Sequence, residues 1–115
     1  MVEYQWNIFW VYLESGKGSE QSGKRPVLVI SAEEVNQYLP VVGIISLTSY
    51  KEGRKIYPTE VYLSASETGL TKDSIAMAHQ VRVISKDRLE NVCGNISSGM
   101  LREEIRNVVR KYLDV

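Results

Sequence analysis

The stretch Gly16–Ser31, GKGSEQSGKRPVLVIS, decides how this chain of 115 residues is read. Its second half carries Val27–Ile30 (VLVI), a β-branched apolar run of strand length. Pro26 fixes φ and has no N–H to give to a ladder, so it belongs at a strand start. It also confines Arg25 to extended geometry. The first half belongs to a Gly-rich connection, Glu14–Lys24, too polar to pack; a loop of that length in a compact domain usually serves function. Arg25 is thereby set at a strand mouth beside a loop, where its planar, permanently charged fork suits phosphate oxygens. The alternative for this one residue is an exposed surface arginine.

The same kind of run recurs on either side. Ile8–Leu13 (IFWVYL), Val41–Leu47 (VVGIISL), Glu60–Leu63 (EVYL) and Ser74–Ile84 are all strand candidates, separated by polar, Gly or Pro residues. Continuous apolar runs predict strands covered on both faces or packed in a small closed barrel. A second polar connection spans Ser49–Tyr57. Single helical turns could sit at 32–37, with Ser31 as cap, and at 86–89. Gly94 and Gly99 look like turn residues.

The tail has another period. Leu101, Ile105, Val108, Val109 and Tyr112 share one face of a helix. Ser97 or Ser98 can cap it, and Glu103, Glu104, Arg110 and Lys111 follow the helix dipole. The spacing predicts a helix over 98–113 lying on the sheet. With no repeat, linker or low-complexity tract, a single domain over 1–115 is expected.

Lysine plus arginine number 14, and so do aspartate plus glutamate. Zero net charge excludes a polycation that coats nucleic acid through bulk charge. Yet loops 15–25 and 49–57 hold six basic residues against two acidic ones, so a basic edge sits on an acidic body. Hydrophobic residues at 43% exclude global disorder. The lone Cys93 has no internal disulfide partner, which fits a cytoplasmic location, and it reads as a small inert apolar residue. No run has a signal-peptide layout or the roughly 18 apolar residues of a membrane helix.

Much catalytic chemistry is missing. One histidine and one cysteine cannot make a zinc site without carboxylate help, so no metal and no cofactor are expected. There is no G-x-S-x-G elbow, no P-loop and no dinucleotide fingerprint. Catalysis would have to use Arg, Lys, Thr, Ser, Glu or His79.

The run G-S-E-Q-x-G-K-R-P-V-L-V-I-S resembles the signature of the MazF/PemK family of toxin endoribonucleases from bacterial toxin–antitoxin pairs. Further segments are similar in order along nearly the whole chain: Ile8–Leu13; Ile45-Ser46-Leu47-Thr48-Ser49; Tyr57-Pro58-Thr59-Glu60-Val61; Gly69-Leu70-Thr71-Lys72-Asp73-Ser74; Gln80-Val81-Arg82; and Lys86–Leu89 with Gly94. The resemblance implies a mainly β fold, a small SH3-like barrel (CcdB/PemK-like) with a C-terminal helix. It implies a homodimer that cuts single-stranded RNA without a metal, leaving a 2′,3′-cyclic phosphate and a 5′-hydroxyl. Its protein partner would be a cognate antitoxin.

On this resemblance the catalytic arginine falls on Arg25 and the catalytic threonine on Thr48. RNA contacts fall on Lys17, Ser19, Glu20, Gln21, Lys24, Ser49, Lys51, Arg54, Lys55 and Gln80. Glu20 and Gln21 could touch RNA or only order the loop; the lysines and Arg54 could touch phosphates or only keep loops soluble. Tyr50, Tyr57 and Trp6 could stack on bases. Two departures stand out. Trp6-Asn7 replaces the family's usual Gly-Asp or Gly-Glu. His79 takes a position that is Asp in many relatives, where it could shuttle protons near neutral pH or be a packed, hydrogen-bonded residue. A rival reading is a non-enzymatic gyrase poison like CcdB, similar in fold; the presence of both Arg25 and Thr48 argues against it.

Overall fold

The computed structural model describes residues 2–14 and 17–115. Gly16, the first residue of the quoted stretch, lies outside them, as do Met1 and Ser15. Six strands form one antiparallel sheet: β1 (Asn7–Leu13), β2 (Gly23–Val29), β3 (Val41–Ser49), β4 (Glu60–Leu63), β5 (Ser74–Ser85) and β6 (Val92–Asn95). Their spatial order is β4-β5-β3-β2-β1-β6. Short helices α1 (Glu33–Asn36) and α2 (Ala65–Thr68) interrupt the strands, and α3 (Gly99–Leu113) ends the chain.

The apolar runs divide into two buried clusters by strand alternation. Leu28, Ile45, Leu47, Leu63 and Ile8 join Leu101 and Ile105 of α3. Val27, Val29, Val42, Ile44, Val11 and Leu13 form the other cluster. Both faces of the central strands are therefore dry, as the unbroken apolar runs require. On β1 the rule is half met, because Trp10 and Tyr12 alternate outward.

The sheet curls into a half-barrel rather than a closed one, with β4 and β6 as unpaired edges. Gly94 is a strand residue of β6, paired with Ile8, and not a turn. A Cβ there would stand 2.6 Å from the Thr68 carbonyl oxygen at the end of α2. The missing side chain lets α2 close against the far edge of the sheet. Gly99 likewise is no turn residue; it is the first residue of α3.

Helix α3 begins one residue after Ser98, whose Oγ accepts from Leu101 N at 3.2 Å. Its first turn holds no acid; Glu103 instead bridges Arg106 and Arg110, each at 3.3 Å. Tyr112 is exposed, so the buried face ends before the last turn. At α1 the expected cap is also different. Ser31 Oγ faces Asn36 Oδ1 at 2.5 Å and accepts from Gly43 N, joining α1 to β3 rather than capping the helix.

Candidate active site

The β2–β3 ladder pairs Val29 with Ile44, Leu28 with Ile45 and Val27 with Ser46. There it stops, at the residue before which Pro26 offers no N–H. Continued by two residues, the register sets Arg25 opposite Thr48. Along this stripe of facing pairs the chemistry turns from Val29/Ile44 to Val27/Ser46 to Arg25/Thr48. Where the strands splay, a hollow of about 260 Å³ opens. Arg25, Thr48, Ser49, Lys24, Thr71 and Lys72 give it polar groups, and Trp10, Pro26, Leu47 and Leu70 give it apolar walls. The structure thus brings Arg25 and Thr48, 23 positions apart in sequence, into one cleft.

Arg25 is half-buried, and its Nε donates to the Ser22 carbonyl at 3.0 Å. That bond orients the guanidinium, and among the described residues its two terminal nitrogens are still available as donors. Lys24 reaches Glu90 at 3.3 Å and lies 5.9 Å from the Trp10 ring centroid. Trp10, within the apolar run Ile8–Leu13 and not among the candidate site residues, also lines the cleft. It is 36% exposed and paired across the ladder with Pro26. In the all-apolar run IFWVYL no alternation marks it; only the fold, which buries Phe9 and Val11 on either side, turns it outward. Thr71 and Lys72 were seen only as parts of a longer similarity; they reach the cleft from the turn before β5.

The loop after β1 is tied to β5. Gln80 Nε2 donates to the Ser19 carbonyl at 2.9 Å, and Gln80 Oε1 accepts from Gln21 N at 3.3 Å. Glu20 Oε1 accepts from Lys17 N at 3.2 Å. A second hollow, of about 370 Å³, is lined by Glu20, Gln21, Ser46, His79, Gln80, Val81 and Arg82. His79 is placed here, away from the Arg25–Thr48 cleft; it is half-buried, with Nδ1 3.0 Å from Thr59 Oγ1. Neither hollow has Lys17, Lys51, Arg54 or Lys55 in its wall.

Arg54 has a different task. It grips Glu60, the first residue of β4, through two contacts of 2.8 and 2.9 Å. Burial by itself would push the Glu60 carboxyl up. Hydrogen bonds from Arg54 and Tyr57 N, with the charges of Arg54 and His79, outweigh it and hold the group below its ordinary value. The Tyr57 ring has Arg54 and Lys55 near it, each at 5.7 Å, and remains 52% exposed. Trp6 is no stacking platform for a base. It is 6% exposed, with the Arg102 and Arg106 guanidinium carbons 5.4 and 5.0 Å from its ring. Its φ of 70° lies in the left-handed region that glycine favours.

Among the described residues no helix is long and apolar enough to cross a membrane, and no group of three or more His, Cys, Asp or Glu could hold a metal ion. The family described as PemK-like, MazF-like toxins of type II toxin–antitoxin systems matches residues 4–113. The chain is 33% identical over 113 residues to endoribonuclease MazF9 of Mycobacterium tuberculosis, covering 94% of this chain and 93% of that one. It is 31% identical over 101 residues to endoribonuclease EndoA of Bacillus subtilis, covering 88% and 86%. Its fold superposes on crystalline MazF of Deinococcus radiodurans with a TM-score of 0.78 at 25% identity, covering 100% and 99% of the two chains. The match over nearly the whole length places this chain in the PemK-like, MazF-like family of toxins of type II toxin–antitoxin systems.

Proposed function

We propose that this toxin cuts single-stranded RNA by attack of a ribose 2′-OH on the adjacent phosphorus, with Arg25 and Thr48 as the catalytic residues. The observation that carries the reading is their placement in one cleft, with Lys24 and Lys72 beside them. The O2′–P bond forms as the P–O5′ bond breaks. One proton leaves O2′ and one arrives at O5′, so the products are a 2′,3′-cyclic phosphate and a 5′-hydroxyl. The charge that builds on the phosphorane oxygens is the main burden, and preorganised donors relieve it best. Arg25 supplies two free N–H edges there, and Thr48 Oγ1 donates to a non-bridging oxygen and sets alignment. Arginine stays charged at working pH, so it serves as an electrostatic clamp rather than a proton source.

The relatives named endoribonuclease support this activity over a gyrase poison. Lys24, Ser49 and Lys72 would steer the strand into the cleft, while Lys17, Lys51 and Lys55 on the outer loops would draw it in from solution. His79, held by Thr59 in the neighbouring hollow, is a wall residue in this reading; the alternative, a proton shuttle, predicts that His79→Gln alters the pH–rate profile. A homodimer and a cognate antitoxin complete the proposal. A solved relative of the same fold is described as an endoribonuclease in complex with its cognate antitoxin.

Incubating the purified protein with a defined single-stranded RNA and mapping the ends tests the proposal. Fragments with 5′-hydroxyl ends are expected, and Arg25→Ala should cut about 100- to 1,000-fold more slowly with unchanged circular dichroism. Wild-type turnover by a folded Arg25→Ala protein would overturn the assignment.

A further inference from the structure

The Ser22 carbonyl that holds Arg25 is set in place by the residue between them. Gly23 opens β2 and ends its ladder with β1, facing Leu13. Its φ of 82° lies in the left-handed region, which residues other than glycine, asparagine and aspartate rarely enter. Crowding does not explain the glycine. A Cβ built on Gly23 meets nothing within 4 Å, whereas one on Gly94 strikes a carbonyl. The requirement at Gly23 is therefore on the backbone alone.

Rotation about the N–Cα bond of Gly23 fixes the plane of the Ser22–Gly23 peptide against the strand. In an ordinary antiparallel strand φ is near −140° and the carbonyls lie in the plane of the sheet. At 82° this peptide is turned by roughly 140° from that setting. The Arg25 side chain leaves the strand perpendicular to the sheet. Its Nε can meet a carbonyl three residues back only where that carbonyl has turned out of the plane, and Ser22 O accepts from it at 3.0 Å. The segment has little freedom to arrange this otherwise. Gln21 N is held by Gln80 Oε1 on one side, and Gly23 by the β1 ladder on the other. The peptide between them carries the rotation.

A bond to Nε does more than hold the chain of Arg25. It sets the plane of the guanidinium, because Nε and the two terminal nitrogens share that plane. A phosphate clamp needs two donors fixed in direction; a freely turning arginine must be ordered at every turnover. We infer that Gly23 is a positioning residue for the cleavage reaction: its left-handed backbone turns the Ser22 carbonyl onto Arg25 Nε, which aims the terminal nitrogens of Arg25 at the scissile phosphate. This rests on the ribonuclease reading of the Arg25–Thr48 cleft, while the tether itself is a property of the free protein.

The test compares Gly23→Val with Gly23→Asn. Both find open space at Cβ, and only asparagine enters the left-handed region readily. Steady-state cleavage of a defined single-stranded RNA gives kcat and KM. Solvent exchange of the Arg25 Nε–H reports the tether without substrate; its signal in a proton–nitrogen correlation spectrum is identified by its absence from Arg25→Ala. Gly23→Val should lower kcat about 100-fold with KM within about threefold, and its Nε–H should exchange like that of a free arginine. Gly23→Asn should keep kcat within about fivefold and the slowed exchange of wild type. A merely structural glycine would lower the melting midpoint without separating the two variants in kcat or exchange. If Gly23→Val does not fold, Gly23→Ala takes its place and should cut more slowly than Gly23→Asn. The inference is overturned if a folded valine or alanine variant keeps wild-type kcat, if only KM rises, if the asparagine variant loses as much kcat as its partner in the comparison, or if the Nε–H exchanges freely in wild type. In each of these cases RNA cutting by wild type leaves the ribonuclease reading standing. Absence of any cleavage by wild type overturns that reading and this inference together.

Discussion

Arg54 and Glu60 form a two-pronged ion pair, 2.8 and 2.9 Å, across the turn that enters β4. Glu60 is 6% exposed, whereas Arg54 is partly open to solvent. One of the six basic residues that make the loop edge positive is therefore neutralised where it stands. Arg54→Ala should lower stability by about 2–4 kcal/mol, by stranding a buried carboxylate, before it affects RNA affinity. The pH dependence differs between the two proteins. In wild type the folded carboxyl titrates below its unfolded value, so the pair's contribution is full above the ordinary carboxylate range and fades as pH falls through the folded value. In Arg54→Ala two of the four influences that hold the carboxyl down are gone, so its folded value moves up and the gap from wild type narrows as pH falls. Urea denaturation at two pH values reads both effects.

Trp6 sets a strained backbone against a large buried side chain. Trp6→Gly should relieve about 1–2 kcal/mol of left-handed strain and lose about 3–5 kcal/mol of packing, for a net loss of about 2–3 kcal/mol. Trp6→Ala keeps the strain and loses the packing, so it should be about 1 kcal/mol less stable than Trp6→Gly. Thermal unfolding of the two variants side by side would show an inverted order if the strain were unimportant.

Gly94 and Gly99 should behave oppositely when given a methyl group. A Cβ at Gly94 meets the Thr68 carbonyl at 2.6 Å, so Gly94→Ala must push α2 from the sheet edge and should cost about 1–3 kcal/mol. Gly99 has open space around it at the start of α3, and Gly99→Ala should gain about 0.4–1 kcal/mol. Equal midpoints in guanidinium would contradict the role of Gly94 in closing the half-barrel.

Gln80 acts on the loop rather than on the reaction. With both ends of its amide engaged by Ser19 and Gln21, Gln80→Ala should raise KM several-fold with a smaller change in kcat. The Gln21 amide should exchange with solvent faster in this variant, which hydrogen exchange can follow residue by residue. Unchanged protection there would mean that the loop orders itself.

Five of the six strands, the final helix and its serine cap were legible because they rest on local rules: period, β-branching and capping act over a few residues. The GSEQ-x-GKRP run also marked Arg25 as a candidate without any structure. What the chain alone could not display were relationships between distant segments. Nothing local in Val92–Asn95 distinguishes a strand from a turn; Gly94 is needed there because Thr68 approaches it from 26 positions away. Ser31 does not cap α1 because Ala32 holds the N-cap position, and its hydroxyl instead accepts from Gly43 N and donates to Asn36 Oδ1. Arg54 looked like a free cation until folding brought Glu60 under it. His79 and Thr48 could not be separated by sequence, since which hollow a side chain enters depends on where β2 and β3 part. The sequence by itself determined five of the six strands, the helix and the identity of the polar groups. Tertiary structure decided which of them share a cleft, because the ladder that ends at Val27 and Ser46 opens space only beyond that pair.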